Sequence, residues 1–540
     1  MRRESRAVDG KTRPRRPESA DLLNWSGSDV AARGAAGSSP GEVGVRAMIE
    51  RASARGRGNR LRSSLLALSA TALLASCTTV EGAPGPLDDP TSPTPPPSAT
   101  LTTSAARESA AVVLAGGQPA PYNYGPTVVA EEGRYRAWWC SQLPGVGPAG
   151  DDVLHAASAD LGTPFTADGG APAVPVFAGQ PGGFDAMHTC DPSVVRAGGR
   201  YYLYYTGAAG DHAHGNAIGV ASSADGMSWR RESGGRPVVT ASGEVVRANV
   251  YGAGQPSALF LDGWFYLMFT DTTAAGAGWN GAGQFVLRAK DATFSDRVQA
   301  LTDRGFQPAS ATRGSRARSV VDAFSADWMW VEALDAFAIA HQTAAGTTVT
   351  FWDRDFSRHP YRPLIIPGVW QEGPGLVRDP GGRAPVSTTD PCGVVPVDVL
   401  RATALNPAPT DIRRFGLDVV DLDACESPRR ARAVLDGFGV PSPTRTVDIV
   451  RDGGKIRVER RSVAEKIARG VLGERVPALD DLPVVATIPA QAPALRAPDG
   501  EVGLLDSLGR LWTVPVEAVE ANGSRLREVS QQEWDAASGR

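Results

Sequence analysis

The sequence predicts an all-β fold, a five-bladed β-propeller followed by a small C-terminal α+β region. Three observations carry that expectation. One pattern recurs five times: a small or acidic residue, usually followed by proline, opens a run of β-formers. A Gly or Asp sits eight positions on and an aromatic ten positions on, so the turn chemistry repeats with the strand. No helical periodicity intervenes between the copies. A β-sandwich would seldom repeat the same turn at fixed offsets.

The copies run as follows. Gly125-Pro126-Thr127-Val128-Val129 is followed by Gly133 and Tyr135, and Asp191-Pro192-Ser193-Val194-Val195 by Gly199 and Tyr201. Gln255-Pro256-Ser257-Ala258-Leu259 is followed by Gly263 and Phe265. A weaker copy, Asp327-Trp328-Met329-Trp330-Val331, keeps the offsets with Asp335 and Phe337. The weakest, Gly373-Pro374-Gly375-Leu376-Val377, keeps Gly381 but has Arg383 in the aromatic position. Second and third strands are expected over 134–140 and 153–159, 201–206 and 217–222, and 264–270 and 284–289. Residues 394–400 and 412–422 read as strands that complete the fifth blade or pack beside it. Beyond them the register changes: strands at 447–450 and 456–459, an amphipathic helix over 462–472, and a hairpin from Val502 to Val514.

The N-terminal residues read as an address. Arg55, Arg57, Arg60 and Arg62 precede a short apolar core, Leu65 to Leu74, which Ala75-Ser76-Cys77 closes. That segment has the flanks of a secretory signal and is short for a membrane span. Its ending resembles the bacterial lipobox, which implies lipidation at Cys77 and a lipid-anchored protein on the extracellular face of the cell membrane. The expected organisation is an upstream extension (1–47), a lipoprotein signal (48–77), a Pro/Ser/Thr-rich tether (78–110), the propeller (111–440) and an accessory region (441–540). Setting Cys77 aside leaves Cys140, Cys190, Cys392 and Cys425. Three pairings are open by arithmetic, and the strand ends favour Cys140–Cys190 with Cys392–Cys425 in an oxidising compartment.

In a propeller the innermost strands start around one mouth of the central channel. The opening residues of the five copies, Gly125, Asp191, Gln255, Asp327 and Gly373, therefore form a ring, with Glu372 beside the last. Second strands return to the same mouth and bring Trp139, Thr206, Asp271 and His341. Tyr124, His188 and Tyr251 precede their ring positions and rim the pocket. Carboxylates, a histidine and aromatics converging on one concavity suit a sugar, whose faces stack on rings and whose hydroxyls bind carboxylates.

At this point the chain resembles the clan of five-bladed propeller glycosidases that includes β-xylosidases, arabinanases and invertase-like enzymes. The resemblance rests on Asp191-Pro192-Ser193-Val194-Val195 with Tyr201 to Gly207, and on Ile218 to Trp229, and it covers about residues 115 to 390. It implies an Asp of blade one as base or nucleophile, an Asp of blade two that orients, and a Glu of blade three as acid. Asp191 matches the second of these. Gly125 stands where the first belongs, and Gly254-Gln255-Pro256 where the Glu is expected.

Two readings stay open. In one, Asp191 works with Asp327, Asp271 or Glu372 as a relocated acid/base pair, which inverting hydrolysis places roughly 6.5–9.5 Å apart. In the other the chain is a catalytically inactive, glycan-binding surface lipoprotein. The partners expected are a carbohydrate and the membrane, with no nucleic acid, since net charge is −4 with both signs mixed, and the chain is read as a monomer. No cofactor is expected; the resemblance allows a structural calcium or sodium in the channel. Asp211-His212-Ala213-His214 reads as a solvated loop rather than a metal site. Gly145 to Gly150 spells GxGxxG but opens no helix, so it is not read as a dinucleotide site.

Overall fold

The computed structural model describes residues 98–116, 122–142, 150–210, 214–404, 411–451 and 453–539. The expected leader, Cys77 and the loop motif at 145–149 lie outside them, as do Asp211 and His212. The chain is mostly β, in several sheets.

Each of the five sequence copies supplies the first strand of an antiparallel meander. The first strands are Asn123–Glu131, His188–Ala197, Ala253–Leu261, Ala326–Val331 and Gly375–Arg378. Second strands follow at Arg134–Gln142, Arg200–Ala208, Trp264–Asp271, Ala336–Thr343 and Val395–Ala402, so the expectation for 394–400 holds. First strands neighbour one another in chain order, and the fifth returns to the first through parallel pairs Val377↔Val128 and Arg378↔Val129. The ends of the repeat region also meet. Thr102–Thr103 and Arg107–Glu108, in the stretch expected to be tether, pair with the third strand of the fifth copy, Ile412–Val420.

Strand alternation explains the paired β-formers of each copy. Val128 faces a buried cluster with Val377, Leu400 and Ile412, while its neighbour Val129 faces one with Val194, Leu203 and Tyr205. Val195 then packs with Ala258 and Leu267, Leu259 with Trp328 and Phe337, and Met329 with Leu376 and Val397. Every sheet thus buries both faces, one against each neighbour. The Gly eight positions along also has a cause. Gly133, Gly199 and Gly263 take φ of 75°, 76° and 72° in two-residue hairpin turns, a conformation open to glycine.

Repeat four departs from the sequence alignment. Thr127 Oγ1 accepts from Val194 N at 3.5 Å, Ser193 Oγ from Ala258 N at 2.8 Å, and Ser257 Oγ from Trp328 N at 3.3 Å. Asp327 continues this series, its carboxylate accepting from Leu376 N at 2.7 Å. Asp327 is therefore the counterpart of Ser193, and Ser325 holds the ring position. A hairpin of four residues, 332–335, where the other copies have two, offset the two-residue shift and preserved the apparent spacing. Repeat five departs as well. Arg383 lies in a loop, and the second strand starts only at Val395.

Both favoured disulfides are present, Cys140–Cys190 and Cys392–Cys425, with Cα atoms 5.1 and 5.2 Å apart. The C-terminal stretch packs on the fourth and fifth sheets, with Val434, Leu435 and Phe438 buried beside Val397, Val399 and Leu417. It holds a duplicated hairpin-and-helix unit that the sequence reading did not isolate. Val447–Arg451, Gly454–Val458 and helix Arg461–Ile467 recur as Val502–Leu505, Leu511–Thr513 and helix Val516–Asn522, around one shared apolar cluster. The first helix ends at Ile467, short of the expected Leu472. Residues 469–472 instead bond along the backbone of Gly437 and Gly439, and that pairing replaces the last turn. No helix among the described residues is long and apolar enough to cross a membrane.

Arg378 joins the five first strands. Fully buried, it donates to Thr127 Oγ1 at 3.0 Å, Ser193 Oγ at 3.5 Å, Ala258 O at 3.1 Å and Trp328 O at 2.9 Å, and it pairs with Asp327 at 3.3 Å. Truncating one partner of a buried pair strands the other charge. Arg378→Met should therefore lower stability by about 3–5 kcal/mol, measured as a reduced urea midpoint.

Candidate active site

The ring is made by local backbone. Gly125, Asp191, Gln255 and Gly373 all precede proline and all take a left-handed φ, of 55°, 47°, 50° and 44°. In the first three copies the ladder slips at this point, between Tyr124 and Thr127, Cys190 and Ser193, and Gly254 and Ser257. Each is a bulge that turns one residue out of the sheet toward the axis. Glycine does this freely, but Asp191 and Gln255 do so at a cost of about 1–3 kcal/mol each, a strain that concentrates at functional sites. A Cβ on Gly125 would lie 3.4 Å from Asp191 Oδ1, and one on Gly373 would lie 2.9 Å from the Gly125 Cα. The bare backbone of copies one and five thus leaves room beside Asp191.

Around that room the charges interact. Burial raises the Asp191 carboxyl above the ordinary aspartate range, opposed by the charge of His188 and by hydrogen bonds from Thr206 and Tyr251. The Tyr251 hydroxyl lies 3.4 Å from Asp191 Oδ2. Glu372 is half-buried, and burial with the charges of Asp191 and Asp151 pushes its carboxyl up to about 8. Asp151 was not singled out by sequence. Its Oδ2 accepts from Tyr124 Oη at 2.6 Å and lies 3.2 Å from His188 Nδ1. Burial alone would lower the His188 imidazole, but the bond to Asp151 together with the charges of Asp151, Asp191 and Asp152 outweighs it and raises the pKa. Tyr122 and Tyr124 meet edge to face at 5.0 Å, and both hydroxyls are raised, first by burial and then by these carboxylates. The Cys140–Cys190 bridge abuts the cluster, with Cys190 Sγ 2.9 Å from Tyr124 Oη.

Asp191, Glu372, Tyr124, His188 and Tyr251 lie together, and Asp151 and Tyr122 join them. A signal for Asp151 existed: the acidic pair Asp151-Asp152 opens the third strand of copy one, and third strands begin at the same mouth.

Other expected members lie elsewhere. Asp327 points toward Arg378 and Ser257, buried among the first strands, rather than to the mouth. Asp271 is fully buried and pairs with Arg316, while accepting from Ser242 N at 2.8 Å and Thr273 Oγ1 at 2.7 Å. It pins loops instead of facing a substrate. Trp139 is 0% exposed and donates to Asn123 Oδ1 at 2.8 Å, so its ring belongs to the core. His341 sits in the second strand of copy four, 3.1 Å from Thr350 Oγ1, its pKa lowered by burial against the charge of Asp322. Gln255 keeps its ring position; its N–H donates to Thr206 Oγ1 at 2.7 Å, and its buried Oε1 has no partner among the described residues. Cys140, Asp151 and Cys190 lie close enough to hold a metal, but the two sulfurs are bonded to each other. That set does not fit a cation.

No family model matches this chain, and no curated protein is similar to it. Among solved structures it is similar to a family 117 glycoside hydrolase of the marine bacterium Zobellia galactanivorans, at 14% identity over 59% of this chain and 92% of that one, with a TM-score of 0.40. It is also similar to the α-L-arabinofuranosidase PaAbf62A of Podospora anserina, solved with cellotriose, at 11% identity over 59% and 97% of the two chains and a TM-score of 0.36. A third is CoXyl43, a family 43 β-xylosidase/α-arabinofuranosidase from a compost metagenome solved with xylotriose, at 13% identity over 58% and 94%, TM-score 0.36.

Two groups of the site region hold protons the unfolded chain would release. Glu372 moves from 4.5 to about 8, and burial raises Asp152 from 3.8 to about 7 despite a backbone hydrogen bond from Gly179. The folded state binds more protons across those windows, so stability falls as pH rises from about 4 to 8. Thermal unfolding at pH 5 and pH 9 should show the lower Tm at pH 9. Glu372→Gln should narrow that gap, and an unchanged gap would contradict the raised pKa.

Proposed function

We propose that the five sheets are the blades of a β-propeller and that the chain is a glycoside hydrolase acting on oligo- or polysaccharides at the mouth where Asp191 and Glu372 meet. The ring of neighbouring first strands, closed through Gly375–Arg378 and Asn123–Glu131, supports the first part. One observation carries the second. Of the three interacting carboxylates Asp151 is buried, whereas Asp191 and Glu372 are each partly exposed, and Glu372 is held protonated at neutral pH. Glycoside hydrolysis asks for such a pair: an acid that protonates the leaving oxygen and a carboxylate that acts on the other face of the sugar.

In this reading Glu372 donates its proton to the glycosidic oxygen as the bond to the anomeric carbon breaks. Asp191 takes a proton from the attacking water or itself bonds to that carbon, and its bonds with Thr206 and Tyr251 fix its orientation. Tyr124 and His188 hold Asp151, whose charge adds to that of Asp191 in keeping Glu372 protonated. Tyr122 and Tyr251 offer ring faces to the sugar. The chain is proposed to work outside the cytoplasm on a lipid anchor at Cys77, a reading supported by the segment ending Leu74-Ala75-Ser76-Cys77.

A panel of aryl glycosides with arabinan, xylan and fructan oligosaccharides tests the activity. Glu372→Gln and Asp191→Asn should each lower kcat at least about 100-fold, and the wild-type rate should fall above about pH 8 as Glu372 loses its proton. Wild-type protein that turns over none of these, yet binds one of them, would overturn the hydrolase reading in favour of a glycan-binding protein. Anchoring has its own check: radiolabelled palmitate should enter the wild-type protein and not Cys77→Ser.

A further inference from the structure

Two loops of the third copy stand beside the mouth. One, 240–252, leads into the first strand, and the other, 272–283, joins the second and third strands. They are stitched together. The Arg247 guanidinium donates to the carbonyls of Thr272 and Ala274 at 2.9 Å and of Ala277 at 3.0 Å. Asn249 Nδ2 donates to Asn280 O at 3.1 Å, while its Oδ1 accepts from Tyr251 N at 3.1 Å. Glu244 accepts from Ala275 N at 3.1 Å and Ser315 Oγ at 2.6 Å. Asp271 secures both loops from beneath through Ser242 and Thr273.

Loops held this firmly nonetheless present apolar side chains to water. Val246 is 98% exposed, Trp279 87% and Val250 43%. Trp279 adjoins Asn280, and the bonds run on from there through Asn249 to Tyr251 and Asp191. A solvated indole on a loop whose backbone these bonds fix, joined through them to a site of carboxylates and tyrosines, offers a flat surface for which the backbone ordering is already met. A protein partner would need about 800 Å² of surface on this side, far more than three side chains offer. The ring of a sugar matches the indole face in size and in its apolar C–H surface.

We propose that Trp279, on a loop bonded to the one that exposes Val246 and Val250, stacks on a sugar unit remote from the bond at Asp191 and Glu372, so that the mouth takes an extended glycan chain. The inference rests on the carbohydrate reading of the mouth but not on turnover there. Binding without hydrolysis tests it. Full-length Glu372→Gln protein is run in affinity gels containing arabinan, xylan or levan, beside Glu372→Gln/Trp279→Ala and Glu372→Gln/Trp279→Phe. The expected result is retardation of the parent by at least one polysaccharide, binding about tenfold weaker with alanine, and recovery of most of it with phenylalanine. Equal retardation of the alanine variant would overturn the proposal, as would no retardation of the parent by any of the three. Retardation intact in a protein whose wild type hydrolyses nothing would overturn the hydrolase reading alone.

Discussion

The buried guanidinium of Arg378 is the constraint on which the rest of the structure depends. Five first strands converge, and each brings polar backbone groups that its meander cannot satisfy on the inner side. Thr127, Ser193 and Ser257 each accept from the next strand's N–H, and Asp327 completes the series. What remains is a cluster of oxygens from four sheets, and the fifth supplies a cation to meet them. A planar group with several fixed donors can serve partners in several directions at once, which an ammonium on a flexible stem would do less well. The charge of Asp327 then has its use: it balances a cation buried among hydroxyls and carbonyls, where neither ion alone would be tolerated.

This accounts for a division of labour among the acids. Carboxylates buried among the first strands or beneath the loops, Asp327 and Asp271, are each matched to an arginine. Those at the mouth are matched to one another, to hydroxyls and to the one imidazole of His188, which leaves three carboxylates short of positive charge. Shortage of that kind keeps a carboxyl protonated, and the raised Glu372 is its outcome. The same residue type thus takes opposite arrangements in different strands of one structure.

Much of the fold was legible because it obeys period-two alternation and hairpin chemistry, both local. The adjacent valines of the first two copies, one for each face, and the glycines at 133, 199 and 263 carry the sheet plan in plain view. What was not legible depended on length or on distant partners. Two extra residues in the 332–335 turn moved Asp327 off the ring without disturbing the spacing pattern. The helix expected to reach Leu472 stopped at Ile467 because Gly437 and Gly439 offered backbone pairing that periodicity does not encode. Trp139 looked like a stacking ring, yet the same residue type serves a core equally well, and only its bond to Asn123 decides. Asp151 lies outside the repeated motif, at the start of a third strand that begins at the same end.

The ring positions show how carboxylates of two copies can meet with a glycine at the ring position between them. Gly125 stands between Gly373 and Asp191, touching both sides of the gap. With no side chain there, Glu372 on the fifth sheet and Asp191 on the second act on each other across the first, and the charge of Asp191 helps to raise Glu372. A fourth carboxylate at 125 would add repulsion next to Asp191 Oδ1 and fill the space beside it. The left-handed backbone there also favours glycine over any other residue. With glycine at 125, the carboxyls of Glu372 and Asp191 from the copies on either side face one space, and the strained backbone of Asp191 turns its carboxylate toward the gap beside Gly125.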